Sequence, residues 1–272
     1  MPIAVKTYPS NAEAASALAG DRGARFCCGG TLVMRDVNEG DLSFSTLVRS
    51  ADRALTRLDT QGQHFVLGAG VTYARILAER DLAFLHPVAR SIGGPAVRNM
   101  GTVGGNLFAP APFGDFTTAL LALDAVVSVQ SGFGAREIAI EEFLSSRDRS
   151  ASALVLSIAV PRPTNPQAFR YLKVARIKPK GASVVTLAAY LPITGGRVVG
   201  ARIALGAMGP RSMRARAAER ALEGRALDAT SLAAAAAAVA EGTAPVDDSL
   251  ASAWYRREVA GVHLKRLLSG DL

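Results

Sequence analysis

Histidine and cysteine are scarce in this chain, and their scarcity closes off several kinds of chemistry. The 272 residues hold three histidines and two cysteines. His64, His86 and His263 lie far apart and make no i, i+4 pair, so the spacing of a helical metal site is missing. Cys27 and Cys28 are adjacent. Neighbouring side chains on a strand point to opposite faces, so the pair is a poor disulfide, and two thiols cannot supply the four ligands of an iron–sulfur cluster. The plain reading is two small, partly buried residues beside a glycine loop, with a transient redox role as the alternative. No serine sits in a G-x-S-x-G elbow, and neither G-x-G-x-x-G nor G-x-x-x-x-G-K-[ST] occurs. Gly68-Ala-Gly70 begins the first of these glycine patterns but has Tyr73 where its third glycine would stand.

Long apolar runs are also absent. No uninterrupted stretch of about 18 apolar residues appears, so a membrane span is not expected. The first residues, MPIAVKTYPSNAEAAS, lack a basic stretch followed by an apolar core, which makes a soluble cytoplasmic protein the expectation. Aromatics make up 6% of the chain and apolar residues 49%, a balance that suits one large or two modest domains with a real core. Charge is uneven. Residues 1–160 carry 14 Lys/Arg against 15 Asp/Glu, whereas residues 161–272 carry 17 against 8. The arginines at 211, 214, 216 and 220 fall at helical spacings with Glu219 and Glu223 among them, and no aromatic platform accompanies them. They read as a solvated helix face or a docking surface for an acidic partner, and nucleic acid is not expected.

Ser10-Asn-Ala-Glu13 is a capping-box pattern and predicts a helix ending near Gly20. Residues 25–28 read as a strand entering Gly29-Gly30-Thr31, and Phe65-Val-Leu as a strand stopping at Gly68. Thr72 is placed to cap a helix to about Arg80. A helix over 117–123 and strands over 126–130 and 154–160 follow. The proline-rich stretch 161–167 is the best boundary, and it coincides with the charge switch. Beyond it, strands are expected over 169–175, 183–191 and 198–205, the last two joined by a Gly195-Gly196 turn that suggests a hairpin. Helices are expected over 212–222, 231–240 and 252–268. Strands followed by helices, not alternating with them, indicate an α+β second domain.

What the chain has in quantity is glycine at two places. Residues 92–115, IGGPAVRNMGTVGGNLFAPAPFGD, pack Gly93, Gly94, Gly101, Gly104 and Gly105 around Thr102 and Asn106. Glycine lacks the Cβ that keeps backbone N–H groups away from an anion. Gly29-Gly30-Thr31 and Thr102-Val103-Gly104-Gly105-Asn106 each read as a loop after a strand-like element, offering N–H donors and a hydroxyl to a pyrophosphate. Asp115 follows a rigid Pro-Ala-Pro-Phe-Gly turn. It reads as a helix N-cap, as an acceptor for cofactor hydroxyls, or as both. With no acid–base or metal constellation in view, the chain is expected to bind a cofactor that carries the chemistry.

Arg98-Asn99, Gly101-Thr-Val-Gly-Gly-Asn106 and Asp115 closely resemble the signature of the FAD-binding medium subunits of molybdenum hydroxylases, the xanthine dehydrogenase and carbon monoxide dehydrogenase relatives. Cys28-Gly-Gly-Thr31 stands at that family's first flavin loop, and VLGAGVT (66–72), LLALDA (120–125), ARIALGAMGP (201–210) and SAWYR (252–256) match as well. The resemblance implies an α+β fold over the whole chain. Its first part is a PCMH/VAO-type FAD-binding region, residues 1–163, of two subdomains (roughly 1–55 and 56–163) with FAD between them. Its second part, residues 164–272, is a small antiparallel sheet packed with helices.

Carried over residue by residue, the resemblance places Phe26, Cys27, Cys28, Gly29, Gly30, Thr31, Leu32 and Val33 in the first FAD loop. Thr102, Val103, Gly104, Gly105 and Asn106 form the second. Asp115 is implied at ribityl or ribose hydroxyls, Ile92 as an apolar flavin contact, and Val155 or Leu156 and Lys173 as further contacts. It implies no catalytic side chain and no metal ligand here. It also implies a large partner with a molybdenum–pterin cofactor and a small partner with two [2Fe–2S] clusters, as a heterotrimer or a dimer of heterotrimers. Electrons would reach FAD from those clusters and leave to an external acceptor. Cys27-Cys28 departs from the family's small apolar lead-in, and residues 176–180 depart from its usual Arg-plus-acid pattern. A stand-alone FAD oxidoreductase of the same fold and a flavin-free scaffold subunit are the alternatives.

Overall fold

Ser10 caps the first helix, its hydroxyl accepting the Glu13 amide at 3.2 Å. The computed structural model describes residues 3–41, 43–131, 134–147, 154–178 and 181–271. Pro179 and Lys180, at the end of the 176–180 segment that departs from the family pattern, lie outside the described residues. The chain forms two units and enters each more than once. The first holds Met1–Ala78, Pro95–Ala109 and Asp124–Arg162, and the second Glu79–Gly94, Pro110–Leu123 and Pro163–Leu272.

The chain opens with β1 (Ala4–Tyr8), α1 (Asn11–Gly20), β2 (Ala24–Phe26), α2 (Val33–Asn38) and β3 (Thr46–Ser50). β1 and β2 both run parallel to β3, giving a sheet of order β1-β3-β2. Parallel neighbours need crossovers, and α1 and α2 supply them. The strand expected over 25–28 stops at Phe26, although the Cys27 N–H still bonds Val48 O at 2.8 Å. Gly30, at φ +71°, turns the chain away there.

Next come β4 (Leu58–Gln61), β5 (His64–Gly68), α3 (Tyr73–Ala78), α4 (His86–Arg90), α5 (Pro95–Met100), α6 (Val103–Asn106), α7 (Asp115–Ala122), β6 (Val126–Ser131), β7 (Gly134–Ala139), α8 (Ile140–Ser146) and β8 (Leu154–Pro161). α4 and α7 belong to the second unit. The five remaining strands make an antiparallel sheet of order β4-β5-β8-β6-β7. Its core is Phe65, Leu67, Val127, Val129, Ile158 and Val160, each at most 2% exposed, and α1 packs on β6 and β8. β4 and β7 escaped the sequence reading because they are edge strands with largely exposed side chains. Thr72 caps α3 by accepting the Arg75 amide at 3.2 Å, but α3 ends at Ala78 and a 3₁₀ turn follows over Arg80–Leu85.

The second unit continues with β9 (Phe169–Ala175), β10 (Ser183–Tyr190), β11 (Ile193–Thr194), β12 (Arg197–Val198), β13 (Arg202–Gly206), β14 (Met213–Arg214), α9 (Arg216–Leu222), α10 (Ala229–Ala238) and α11 (Ala253–Ser269). The antiparallel sheet has order β14-β13-β10-β9. Its central strand β10 is buried throughout. Val185, Leu187 and Ala189 share a core with Leu222, Leu232, Leu264 and Leu267 from α9, α10 and α11. α7, buried at all eight positions, packs on β10 and β13. The α+β class expected from the sequence is the one observed.

Three expectations need correction. The Gly195-Gly196 turn closes a separate two-residue ribbon, β11-β12, while β10 pairs with β13 directly from Tyr190↔Arg202. The helix expected from residue 212 starts at Arg216, because Met213 and Arg214 pair with β13 first. Arg214 is therefore not on a solvated face. Its Nε donates to Glu219 Oε1 at 2.5 Å, with side chains 6% and 8% exposed.

Candidate cofactor-binding site

The first glycine loop leaves β2 at Phe26 and enters α2 at Val33. The N–H groups of Gly29, Gly30, Thr31, Leu32 and Val33 meet no acceptor among the described residues. Backbone N–H groups are obligatory donors, so five successive free ones on a half-buried loop form a ready grip for an anion. A Cβ on Gly29 would run into the Met100 carbonyl and stand 3.0 Å from Thr102 Cγ2. Gly29 thus lets the first loop lie directly against the second.

The second loop is built differently from the sequence expectation. It follows a helix, α5, and Thr102 is the N-cap of α6, its hydroxyl accepting the Gly105 N–H at 3.1 Å. The Val103 N–H bonds Val71 O at 3.0 Å, the Gly104 N–H bonds Ala69 O at 2.9 Å, and the Asn106 N–H bonds Thr102 O at 3.1 Å. The donors expected to face a phosphate are engaged with protein. A Cβ on Gly104 would stand 2.6 Å from Ala69 Cβ, so this glycine serves the close approach of α6 to the Gly68-Ala-Gly70 segment. The Thr102 and Asn106 side chains of this loop are buried, 5% and 9% exposed. The Ala69 N–H bonds Leu156 O at 2.9 Å, which brings β8 to the same place. Of the two alternatives on β8, Val155 is core, whereas half-buried Leu156 lines a cavity of about 190 Å³ with Gly68, Ser157, Asn11, Arg57 and Asp59.

In the second unit Asp115 does not cap its helix. Gly114, at φ +100°, is the N-cap of α7, and Asp115 is the first helical residue. Its carboxylate points into a buried network. Ser183 Oγ and Thr186 Oγ1 donate to Oδ1 at 2.6 and 2.5 Å, and Lys173 Nζ donates to Oδ2 at 2.7 Å. Lys173 also donates to Ser91 O at 3.1 Å, and Ser91 Oγ shares a hydrogen bond with Tyr171 OH at 2.8 Å. Ile92, half-buried, follows Ser91 directly. The structure therefore brings Asp115, Lys173 and the Ser91-Ile92 step together. A carboxylate has about four lone-pair sites and an ammonium three protons, so one acceptor on Asp115 and one donor on Lys173 remain for a ligand. Sequence reading missed Ser91, Ser183 and Thr186, because three hydroxyl residues spread over three elements carry no local pattern.

Burial pushes both Cys27 and Cys28 thiols up, with Arg49 offsetting part of it and the Thr102 hydroxyl adding to that offset at Cys28. They are protonated thiols at neutral pH, which argues for the packing role and against a reactive one. Among the described residues no group of three or more His, Cys, Asp and Glu side chains is placed to hold a metal ion, and no helix is long and apolar enough to cross a membrane.

A backbone anion grip beside a glycine-stitched helix start, on an α+β scaffold, is the arrangement of a cofactor-binding protein. Comparison with known proteins gives that class its family. The chain belongs to the FAD-binding flavoprotein subunits of the molybdopterin dehydrogenases: the family described as "FAD binding domain in molybdopterin dehydrogenase" matches residues 6–163, and the "CO dehydrogenase flavoprotein C-terminal domain" matches residues 170–270. It is 30% identical to the carbon monoxide dehydrogenase medium chain of Afipia carboxidovorans over 219 residues, 78% of this chain and 76% of that one. It is 26% identical to the xanthine dehydrogenase FAD-binding subunit of Escherichia coli O157:H7 over 268 residues, 95% of this chain and 92% of that one. A reconstituted CO dehydrogenase structure from Oligotropha carboxidovorans superposes with a TM-score of 0.90 at 26% identity, covering 99% of this chain and 98% of that one. The chain is accordingly an oxidoreductase flavoprotein subunit.

Proposed function

We propose that this chain binds FAD as the electron-transfer subunit of a cytoplasmic molybdenum hydroxylase. The observation that carries the reading is the row of five N–H groups from Gly29 to Val33 that meet no acceptor among the described residues, an arrangement that fits a pyrophosphate. These groups would hold the pyrophosphate, with the Thr102 and Asn106 side chains beside them. Asp115 and Lys173 would bond cofactor hydroxyls through their remaining acceptor and donor. Ile92 and Leu156 would supply apolar contact. Bound FAD supplies redox chemistry that none of these side chains has.

Relatives named as medium chains or subunits support a complex with a large molybdenum-cofactor subunit and a small iron–sulfur subunit. Two [2Fe–2S] clusters on the small partner would deliver electrons here for passage to an external acceptor. A heterotrimer, or a dimer of heterotrimers, is the proposed assembly.

Purification of the untagged native complex, followed by counts of molybdenum, iron and flavin, tests this reading. One FAD per chain with molybdenum and iron on the co-purifying subunits is expected. The chain alone should turn yellow with FAD and turn over no substrate. A chain that stays colourless after FAD addition, yet is folded by circular dichroism, would end the proposal.

A further inference from the structure

β10 carries a bulge where it meets Asp115. Ser183 pairs with Ala175 and Val185 with Val174, so Val184 is an extra residue with no opposite number on β9. On a regular strand, residues three apart point to opposite faces. Thr186 points at Asp115, so an unbulged Ser183 would point toward the core face that holds Val185 and Leu187. The extra residue reverses that parity. Ser183 and Thr186 then reach the same oxygen, Asp115 Oδ1, at 2.6 and 2.5 Å.

A bulge disrupts the ladder locally and leaves backbone groups to be satisfied elsewhere. Here one side chain of α11 takes them. Arg256 Nη1 lies 2.6 Å from Val184 O, 3.2 Å from Ser183 O and 3.4 Å from Ala207 O. Its Nη2 donates to Asp248 Oδ2 at 2.6 Å, and Asp248 Oδ1 accepts the Leu250 and Ala251 amides at 2.8 and 3.1 Å. Arg256 is 1% exposed, and its Nε has no partner among the described residues. A buried guanidinium with an unpaired N–H is a poor way to fill a core, where an apolar side chain would be at least as stabilising. What Nη1 holds explains its place.

We propose that Arg256 is a positioning residue for Asp115: by holding the bulge carbonyls it keeps the Ser183 hydroxyl on Asp115 and fixes the carboxylate toward a cofactor hydroxyl. The proposal rests on the reading of Asp115 as a cofactor contact. Without the guanidinium, the bulge relaxes, Ser183 turns to the other face, and Asp115 keeps only Thr186 and Lys173.

The test measures FAD dissociation constants of the full chain by flavin fluorescence, normalised to folded protein, for wild type, Asp115→Asn, Arg256→Lys, Asp248→Asn and the Asp115→Asn/Asp248→Asn double variant. Arg256→Lys and Asp248→Asn should each weaken FAD binding roughly tenfold. The double variant should bind no worse than Asp115→Asn alone, because both changes act at one carboxylate. A merely structural role predicts additive losses, and additivity overturns the proposal. Wild-type affinity in Arg256→Lys and Asp248→Asn overturns it while leaving the reading of Asp115 intact. Wild-type affinity in Asp115→Asn removes that reading and the proposal with it. Should Arg256→Lys fail to fold, Asp248→Asn, which loosens Arg256 from its outer partner, decides the outcome through the same comparison.

Discussion

Lys173 and Asp115 form an ion pair of 2.7 Å with both side chains 8% exposed. A pair this far from water is held by its mutual attraction and by the surrounding hydroxyls, and neither member is comfortable alone.

Replacing Lys173 by Met should therefore destabilise the protein by about 3–5 kcal/mol, because it leaves the Asp115 carboxylate buried without its cation. Adding Asp115→Asn should recover much of that loss, since the neutral amide no longer needs the ammonium. Urea denaturation midpoints of the single and double variants check this. Equal midpoints for the two would show that the charge is not what matters.

Gly104 and Gly105 look alike in the sequence but not in space. A Cβ on Gly104 would meet Ala69 Cβ at 2.6 Å and Ala69 O at 2.8 Å, whereas one on Gly105 meets only Thr102 Oγ1, at 3.1 Å. Gly104→Ala should cost about 1–3 kcal/mol by overpacking. Gly105→Ala should stay within about 1 kcal/mol of wild type, because alanine is the better helix former and offsets the crowding. Thermal melts of both variants would separate these outcomes.

Acid should unfasten the Asp248 loop. Burial pushes the Asp248 carboxyl up, but the Ala251 and Leu250 amides and the Arg256 guanidinium outweigh it and hold the group below the ordinary aspartate range. A folded value below the unfolded one, near 3.9, adds stability above that pH and loses it as the pH falls through the folded value. The stability gap between wild type and Asp248→Asn should accordingly narrow below about pH 4. A gap that is constant down to pH 3 would contradict this assignment.

The exposed arginines of the basic half can be tested apart from the buried one. Arg216 and Arg220 are 53% and 71% exposed, with Arg211 also on the surface, while Arg214 is buried against Glu219. Changing Arg211, Arg216 and Arg220 to Gln should lower the salt dependence of complex assembly and leave the melting temperature nearly unchanged, since surface pairs contribute little. Unchanged assembly at every ionic strength would remove this surface from the docking interface.

Much of this protein is legible in one dimension because much of it is local. The Ser10 cap, the β5 stop at Gly68 and the α11 start at Ser252 each depend on residues within a turn of one another. The edge strands β4 and β7 were not legible, since half-exposed strands lack the apolar alternation that marks buried ones. The two glycine loops were found together, but their division of labour was not.

The sequence by itself determined where the backbone would be bare of side chains, at the two glycine loops, because glycine frees the backbone wherever it stands and consecutive N–H groups need no distant partner to be exposed. Only the tertiary structure decided which donors stay free. Gly29 to Val33 keep theirs, while Val103 to Asn106 give theirs to Val71, Ala69 and Thr102. It also decided that Asp115 is gripped by Ser183 and Thr186, residues 68 and 71 positions away that a single bulge turns to one side. Hydrogen bonds satisfied across such separations leave no periodicity along the chain, and so they become visible only once the chain has folded.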